Sequence, residues 1–143
     1  MTVARILAIK GRDVVTSQPH LTIREASDVL ARNRIGAVVI SDAAGGVLGI
    51  LSERDIVRAV STGGADALND PVSRHMTSKV ISTSEDESIE ETMETMTRSR
   101  VRHLPVIRDG RLAGMISIGD VVKIRLEAME IEHKAMREYI ANA

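Results

Sequence analysis

Cysteine is absent from this 143-residue chain, which excludes disulfides, thiolate metal ligands and a cysteine nucleophile. Phe and Trp are absent too and there is one Tyr, so a bound base has no ring to stack on and any purine must lie between aliphatic side chains. The net charge of −1 carries no excess of positive charge, which disfavours nucleic acid and an anionic membrane as partners. No apolar run approaches membrane-spanning length and the N-terminus lacks a signal-peptide core, so a soluble cytoplasmic protein is expected. The four histidines, His20, His75, His103 and His133, show no metal-ligand spacing, and no Ser, His and Asp grouping has a nucleophile context. What remains is a globular composition, 43% hydrophobic and 27% charged, in a length that suits one domain or two small repeats sharing a core.

Internal duplication decides between those two. Gly49-Ile50-Leu51-Ser52-Glu53-Arg54-Asp55 returns 65 residues later as Gly114-Met115-Ile116-Ser117-Ile118-Gly119-Asp120. Each copy reads Gly, two apolar residues, Ser, two variable residues, Asp. The apolar pair ends a strand, the Ser stands at an N-cap, and the Asp falls in the first helical turn, where backbone N–H groups are unpaired. A hydroxyl, a carboxylate and free amides are thereby offered to one small polar ligand.

The surrounding elements repeat in the same order. Val14-Val15-Thr16 and Val80-Ile81-Ser82 are short extended runs; Thr22-Ile23-Arg24-Glu25 and Ser88-Ile89-Glu90-Glu91 read as capping boxes. Ile35–Ile40 and Val101–Ile107 read as buried strands, Asp42–Gly46 and Asp109-Gly110 as turns, and Val47–Leu51 and Leu112–Ile116 as returning strands. Ahead of the first copy, Val3, Ile6 and Leu7 share a helical face that Gly11 stops with an αL cap. Between the copies, Asp70-Pro71 predicts an N-cap followed by an N1 proline. Beyond Asp120 the apolar positions Val122, Leu126, Met129, His133, Met136 and Ile140 follow heptad spacing, a seam that calls for a partner. The predicted division is an N-terminal helix over 1–11, a first repeat over 12–62, a connection over 63–77, a second repeat over 78–124 and a helical extension over 125–143. Duplication with two strands and two helices per unit implies halves packed about a pseudo-two-fold axis.

The paired Gly-x-x-Ser-x-x-Asp motifs, the extended run before each first helix and the Leu104-Pro105-Val106 strand resemble a tandem pair of cystathionine β-synthase (CBS) domains, the Bateman module. Ser52–Arg58 looks like stand-alone bacterial members. The resemblance implies an α+β fold of two β-α-β-β-α repeats, with a short N-terminal and a long C-terminal helix. It also implies a sensor of adenosine compounds: AMP, ADP, ATP or S-adenosylmethionine, with NAD(H) in some stand-alone members.

By the same resemblance, Asp55 and Asp120 take the ribose hydroxyls, and Ser52 and Ser117 contact ribose or phosphate. The bland alternative is that all four simply cap helices. Thr16 and Ser82 would lie beside the base, with Val15, Val38, Ile81 and Leu104 as aliphatic walls, although apolar strand residues are core by default. Arg102 and His103 would face a phosphate, and Gly36 and Ala37 occupy their places in the first copy. Arg54 can grip a phosphate where the second copy has Gly119, so the halves are expected to hold unlike adenine ligands, AMP in one and a dinucleotide in the other. The expected protein is a non-enzymatic nucleotide-binding regulator without a metal or catalytic cofactor. It works as a homodimer through its CBS faces and C-terminal helix and signals energy or redox state to a downstream protein. The rivals are a nucleotide hydrolase, for which no base or metal site is found, and a structural dimerisation module with vestigial pockets.

Overall fold

Thr22 starts the first long helix, α2 (Ile23–Asn33), by accepting the Glu25 N–H while the Glu25 carboxylate returns to the Thr22 N–H. Ile23, Ala26 and Leu30 form its buried face, and Arg34 in the left-handed region ends it. The computed structural model describes residues 1–143. After α2 the chain enters β2 (Ala37–Ser41), turns where the Asp42 carboxylate accepts the Ala44 and Gly46 N–H groups, and returns antiparallel as β3 (Val47–Ser52). Strand β1 (Thr16–Ser17) lies parallel on the other side of β2, and α3 (Glu53–Gly63) leaves directly from β3.

The second unit repeats this plan with one strand reduced. Helix α5 (Ile89–Ser99) is capped by Ser88, which accepts the Glu91 N–H without the returning bond of a full capping box. Strands β4 (His103–Arg108) and β5 (Arg111–Ser117) form a hairpin whose turn, Asp109-Gly110, has positive φ at both residues, as the twist of a two-residue hairpin requires. Where the first unit has β1, the second has one parallel bridge, Thr83 to Val106, in the register of Ser17 to Ile40. The extended run expected at Val80–Ser82 therefore pairs one residue later.

Two cores result, and the short lead-in helices cross between them. Helix α1 (Val3–Lys10) buries Val3, Ile6 and Leu7 against Ile89, Met96, Leu104, Val106 and Ile116 of the second unit. Helix α4 (Val72–His75), which follows a 3-10 turn at Gly64–Asn69, returns Val72 to the first core of Ile23, Leu30, Val38, Ile40 and Leu51. Each unit is thus completed by a segment lying outside its own repeat. Two local expectations are corrected. Pro71 is extended (ψ 146°) and precedes α4 instead of opening it, and Gly11 stops α1 at φ 100°, ψ 168°, outside the αL region.

Helix α6 (Ile118–Ala141) starts at Ser117 and outruns its unit. Val121 and Ile124 enter the second core; from Arg125 onward no side chain is buried.

Candidate functional site

Ser52 ends β3 and caps α3, so strand and helix meet at a single residue whose side chain is spent on the helix. Its Oγ accepts the Asp55 N–H at 3.3 Å, and Asp55 Oδ2 accepts the Ser52 N–H at 2.9 Å. The capping reading of Asp55 is therefore realised, and it uses one carboxylate oxygen. The other, Oδ1, has only long contacts: Thr77 Oγ1 at 3.3 Å and the Arg58 guanidinium at 3.6 Å. An acceptor in a side chain only 6% exposed is left for a stronger donor.

Asp55 borders a cleft of about 270 Å³ to which both units contribute. The first unit supplies Gly36, Ile50, Ser52 and Asp55; the second supplies Ile81, Val101 and His103. Arg54, Arg58, Lys79, Arg100 and Arg102 line it against two carboxylates, Glu53 and Asp55, so the cleft is positive in a chain whose net charge is −1. Arg54 Nη1 reaches across to the Arg100 carbonyl at 3.5 Å, tying the start of α3 to the end of α5. Gly36 admits the His103 imidazole, because a Cβ there would stand 3.1 Å from its Cε1. Burial lowers the His103 pKa below the ordinary imidazole value; Glu53 opposes this, while Lys10 adds to it.

The second helix start repeats the cap and differs in its partner. Ser117 Oγ accepts the Asp120 N–H at 3.2 Å, and Asp120 Oδ2 accepts the Ser117 N–H at 2.8 Å. Here Lys10, from the last turn of α1, donates to Asp120 Oδ2 at 2.7 Å and to the Met115 carbonyl at 2.9 Å. In the first unit the equivalent carbonyl, Ile50 O, takes the Thr77 N–H at 2.9 Å, and the Thr77 hydroxyl faces the carboxylate. The cause is helix length. Helix α4 stops after four residues and Thr77 pairs with the strand, whereas α1 runs to eight and delivers an ammonium to the same place. Burial alone would raise the Asp120 pKa; the Lys10 hydrogen bond and charge, with the Ser117 N–H, outweigh it and hold the carboxyl below its ordinary value.

The leading glycine of each motif is explained by the same two helices. A Cβ at Gly49 would stand 2.8 Å from Met76 Sδ and from the Thr77 carbonyl, and one at Gly114 would stand 2.7 Å from Leu7 Cδ2. The lead-in helices cross the strands where only hydrogen fits.

Of the residues singled out in the sequence, Ser52, Arg54, Asp55, Ile81, Arg102 and His103 meet in the cleft. Ser117 and Asp120 stand at the other helix start with Lys10. Val38 and Leu104, expected as walls, are fully buried in the two cores and do not line the cleft, since β2 and β4 are covered on both faces. Val15 packs against the first core, and Thr16 and Ser82 are exposed outside the cleft. Sequence reasoning missed Lys10, Arg58, Thr77, Lys79 and Arg100. Arg100 repeats Arg34 at the left-handed end of the first long helix of each unit, a recurrence that could have marked it, and Arg58 stands one helical turn beyond Asp55; Lys10, Thr77 and Lys79 come from the lead-in segments, remote in sequence from the motifs they meet. No three His, Asp or Glu side chains gather where a metal ion would be held.

Comparison with known proteins agrees with this arrangement. The family model described as the CBS domain matches twice, over residues 6–62 and 72–127. The crystal structure of a CBS-domain containing protein from Agrobacterium tumefaciens is 50% identical and superposes with a TM-score of 0.86, over 87% of this chain and 99% of that one. A CBS domain protein from Pyrobaculum aerophilum, solved in complex with AMP, is 30% identical with a TM-score of 0.74, over 84% and 89% of the two chains. A CBS domain-containing protein of Bacillus subtilis is 31% identical over 76% of each chain. With two matches in tandem, each containing one Gly-x-x-Ser-x-x-Asp motif and joined across a shared cleft, the chain belongs to the CBS domain family.

Proposed function

We propose that this protein is a regulatory module that binds an adenine nucleotide in the cleft beside Asp55, acts as a homodimer in the cytoplasm and carries out no reaction of its own. The observation that carries this reading is one half-engaged, buried carboxylate set among five cationic side chains. A ribose diol presents two donors to a carboxylate, and a phosphate is what arginines bind best. Asp55 Oδ1 takes the ribose, Arg54 and Arg102 take the phosphate, and Ile50, Ile81 and Val101 flank the base in place of the missing aromatic rings. The AMP complex of the Pyrobaculum relative supports the ligand class. AMP is the first candidate, with ADP, ATP and NAD(H) as alternatives that would report energy or redox state to a downstream protein.

At Ser117 and Asp120 a nucleotide has to displace Lys10, whose ammonium then lies within reach of its phosphate. Because residues of both units line the cleft, a ligand favours the arrangement of the units that it fits best and shifts their population by its differential affinity. The rival reading, a structural module with vestigial pockets, is favoured only at this second site, where the Lys10 ion pair is complete without a ligand.

Calorimetry tests the reading. AMP is expected to bind the native chain and to lose at least about tenfold in affinity in an Arg54→Ala, Arg102→Ala double variant, as the loss of charged hydrogen bonds predicts. No heat from AMP, ADP, ATP or NADH, together with no adenine compound released from freshly purified protein in mass spectrometry, would leave the structural module as the better account.

A further inference from the structure

The far half of α6 presents an apolar seam that its own chain does not cover. Val122, Leu126, Met129, His133, Met136 and Ile140 are all exposed. At ~100° per residue the centre of this seam is turned about 130° from Val121 and Ile124, the two residues that fasten α6 to its core. The body of the protein therefore sits behind the helix, and the seam faces outward.

The flanking charges select an occupant. Arg125 and Glu132 lie on one flank of the seam, at g positions, and Glu130 and Arg137 on the other, at e positions. In a parallel, in-register pair each g residue meets the e residue five places on in its partner. That sets Arg125 against Glu130 and Glu132 against Arg137, opposite charges in both cases. In an antiparallel pair that overlaps the whole seam, Glu130 meets Glu130, Glu132 meets Glu132 and Lys123 meets Arg137, three like-charge pairs, while Arg125 meets Tyr139. Within the chain Arg125 already holds Glu90 at 3.2 Å, while Glu132 and Arg137 have no ion-pair partner. Glu132 with Arg137 is accordingly the pair left open for a second copy.

We infer that α6 forms a parallel, in-register two-stranded coil with α6 of a second copy of this chain, an arrangement that rests on the homodimer reading above. The two bodies then lie on opposite outer faces of the coil at the same end, with the Asp55 clefts at its base. A polar His133 at a central a position opposes its own copy, which disfavours slipped registers.

The absence of native cysteine makes the test direct. Single-cysteine variants Met136→Cys, in the seam, and Ile131→Cys, on the outer face, change exposed positions and leave both cores intact. Under mild oxidation Met136→Cys is expected to form a disulfide-linked homodimer at least tenfold faster than Ile131→Cys. If Met136→Cys links to Leu126→Cys in a mixture and not to itself, the helices are antiparallel and the inference is overturned. If the chain is dimeric by sedimentation equilibrium and remains so when truncated after Arg125, the coil is wrong while the homodimer reading stands. A native chain that sediments as a monomer overturns both. Nucleotide binding in the cleft is read separately, by calorimetry, and none of these outcomes bears on it.

Discussion

Lys10 and Asp120 form an ion pair at 2.7 Å, whereas the otherwise equivalent Asp55 has only Arg58 at 3.6 Å, because α1 is four residues longer than α4 and carries its lysine to the carboxylate. The two helix starts therefore differ in what meets the carboxylate, a close ammonium at one and a hydroxyl with a more distant guanidinium at the other. This is a structural asymmetry beyond Arg54 against Gly119, and it has consequences for binding.

Lys10→Met should free Asp120 for a neutral nucleoside. Both partners are partly exposed, so the pair contributes no more than ~1 kcal/mol to stability. Adenosine affinity measured by calorimetry is expected to rise by up to about fivefold, the factor that such an energy allows. An unchanged isotherm would mean that Asp120 is not part of a nucleoside site.

The lowered Asp120 pKa makes acid stability depend on the same contact. A carboxyl whose folded pKa lies below its unfolded value near 3.8 contributes stability that is present above pH 3.8 and lost as pH falls through the folded pKa. Thermal melts between pH 6 and pH 2.5 should show Lys10→Met converging on the native chain at the acid end and lying below it at the neutral end.

His103 works in the same sense at a higher pH. Its folded pKa is below the unfolded 6.5, so the unfolded chain takes up the proton first, and stability declines as pH drops through 6.5 toward the folded value. His103→Gln, which does not titrate, should flatten the stability profile between pH 7 and pH 5 in urea titrations. A decline of undiminished slope would show that another group is responsible.

Asp55→Asn separates capping from binding. Asn at this third helical position keeps an acceptor for the Ser52 N–H and loses only the charge at the helix start, so the cost in stability should stay below ~1 kcal/mol, whereas AMP affinity should fall by at least about tenfold because the amide offers one acceptor in place of a charged pair. Asp55→Ala should lose both, with ~1 kcal/mol of stability going with the hydrogen bond that Asp55 returns to the Ser52 N–H.

Gly114→Ala should cost ~1–3 kcal/mol in urea unfolding, the usual range for overpacking, since its methyl group would overlap the buried Leu7. The same change loosens α1, and with it the Lys10–Asp120 pair. A neutral effect would mean that Leu7 moves aside without loss.

Much of this was legible beforehand where the physics is local. Thr22 with Glu25, Ser52 with Asp55 and Ser117 with Asp120 close their caps over three residues, and Asp109-Gly110 closes its hairpin over two, so a short window of sequence carries the whole interaction. Ser88 with Glu91 shows the limit of that window, for the same pattern there makes half a box. The apolar strand residues mark another limit. Val38 and Leu104 have the composition of pocket walls and of core alike, and only the layers packed on both faces of β2 and β4 decide that they are core.

By itself, then, the sequence determined the duplicated unit, the helix starts and their serine and aspartate, the cationic Arg54 and Arg102, and the heptad spacing of α6. These depend on spacing within one element or on recurrence between two. The tertiary structure alone decided that α1 completes the second unit and α4 the first, that both units supply the cleft beside Asp55, and that Lys10 reaches Asp120 across 110 residues of chain. Those contacts join side chains remote in sequence and are selected by which buried faces fit together, a choice that spacing along the chain does not encode.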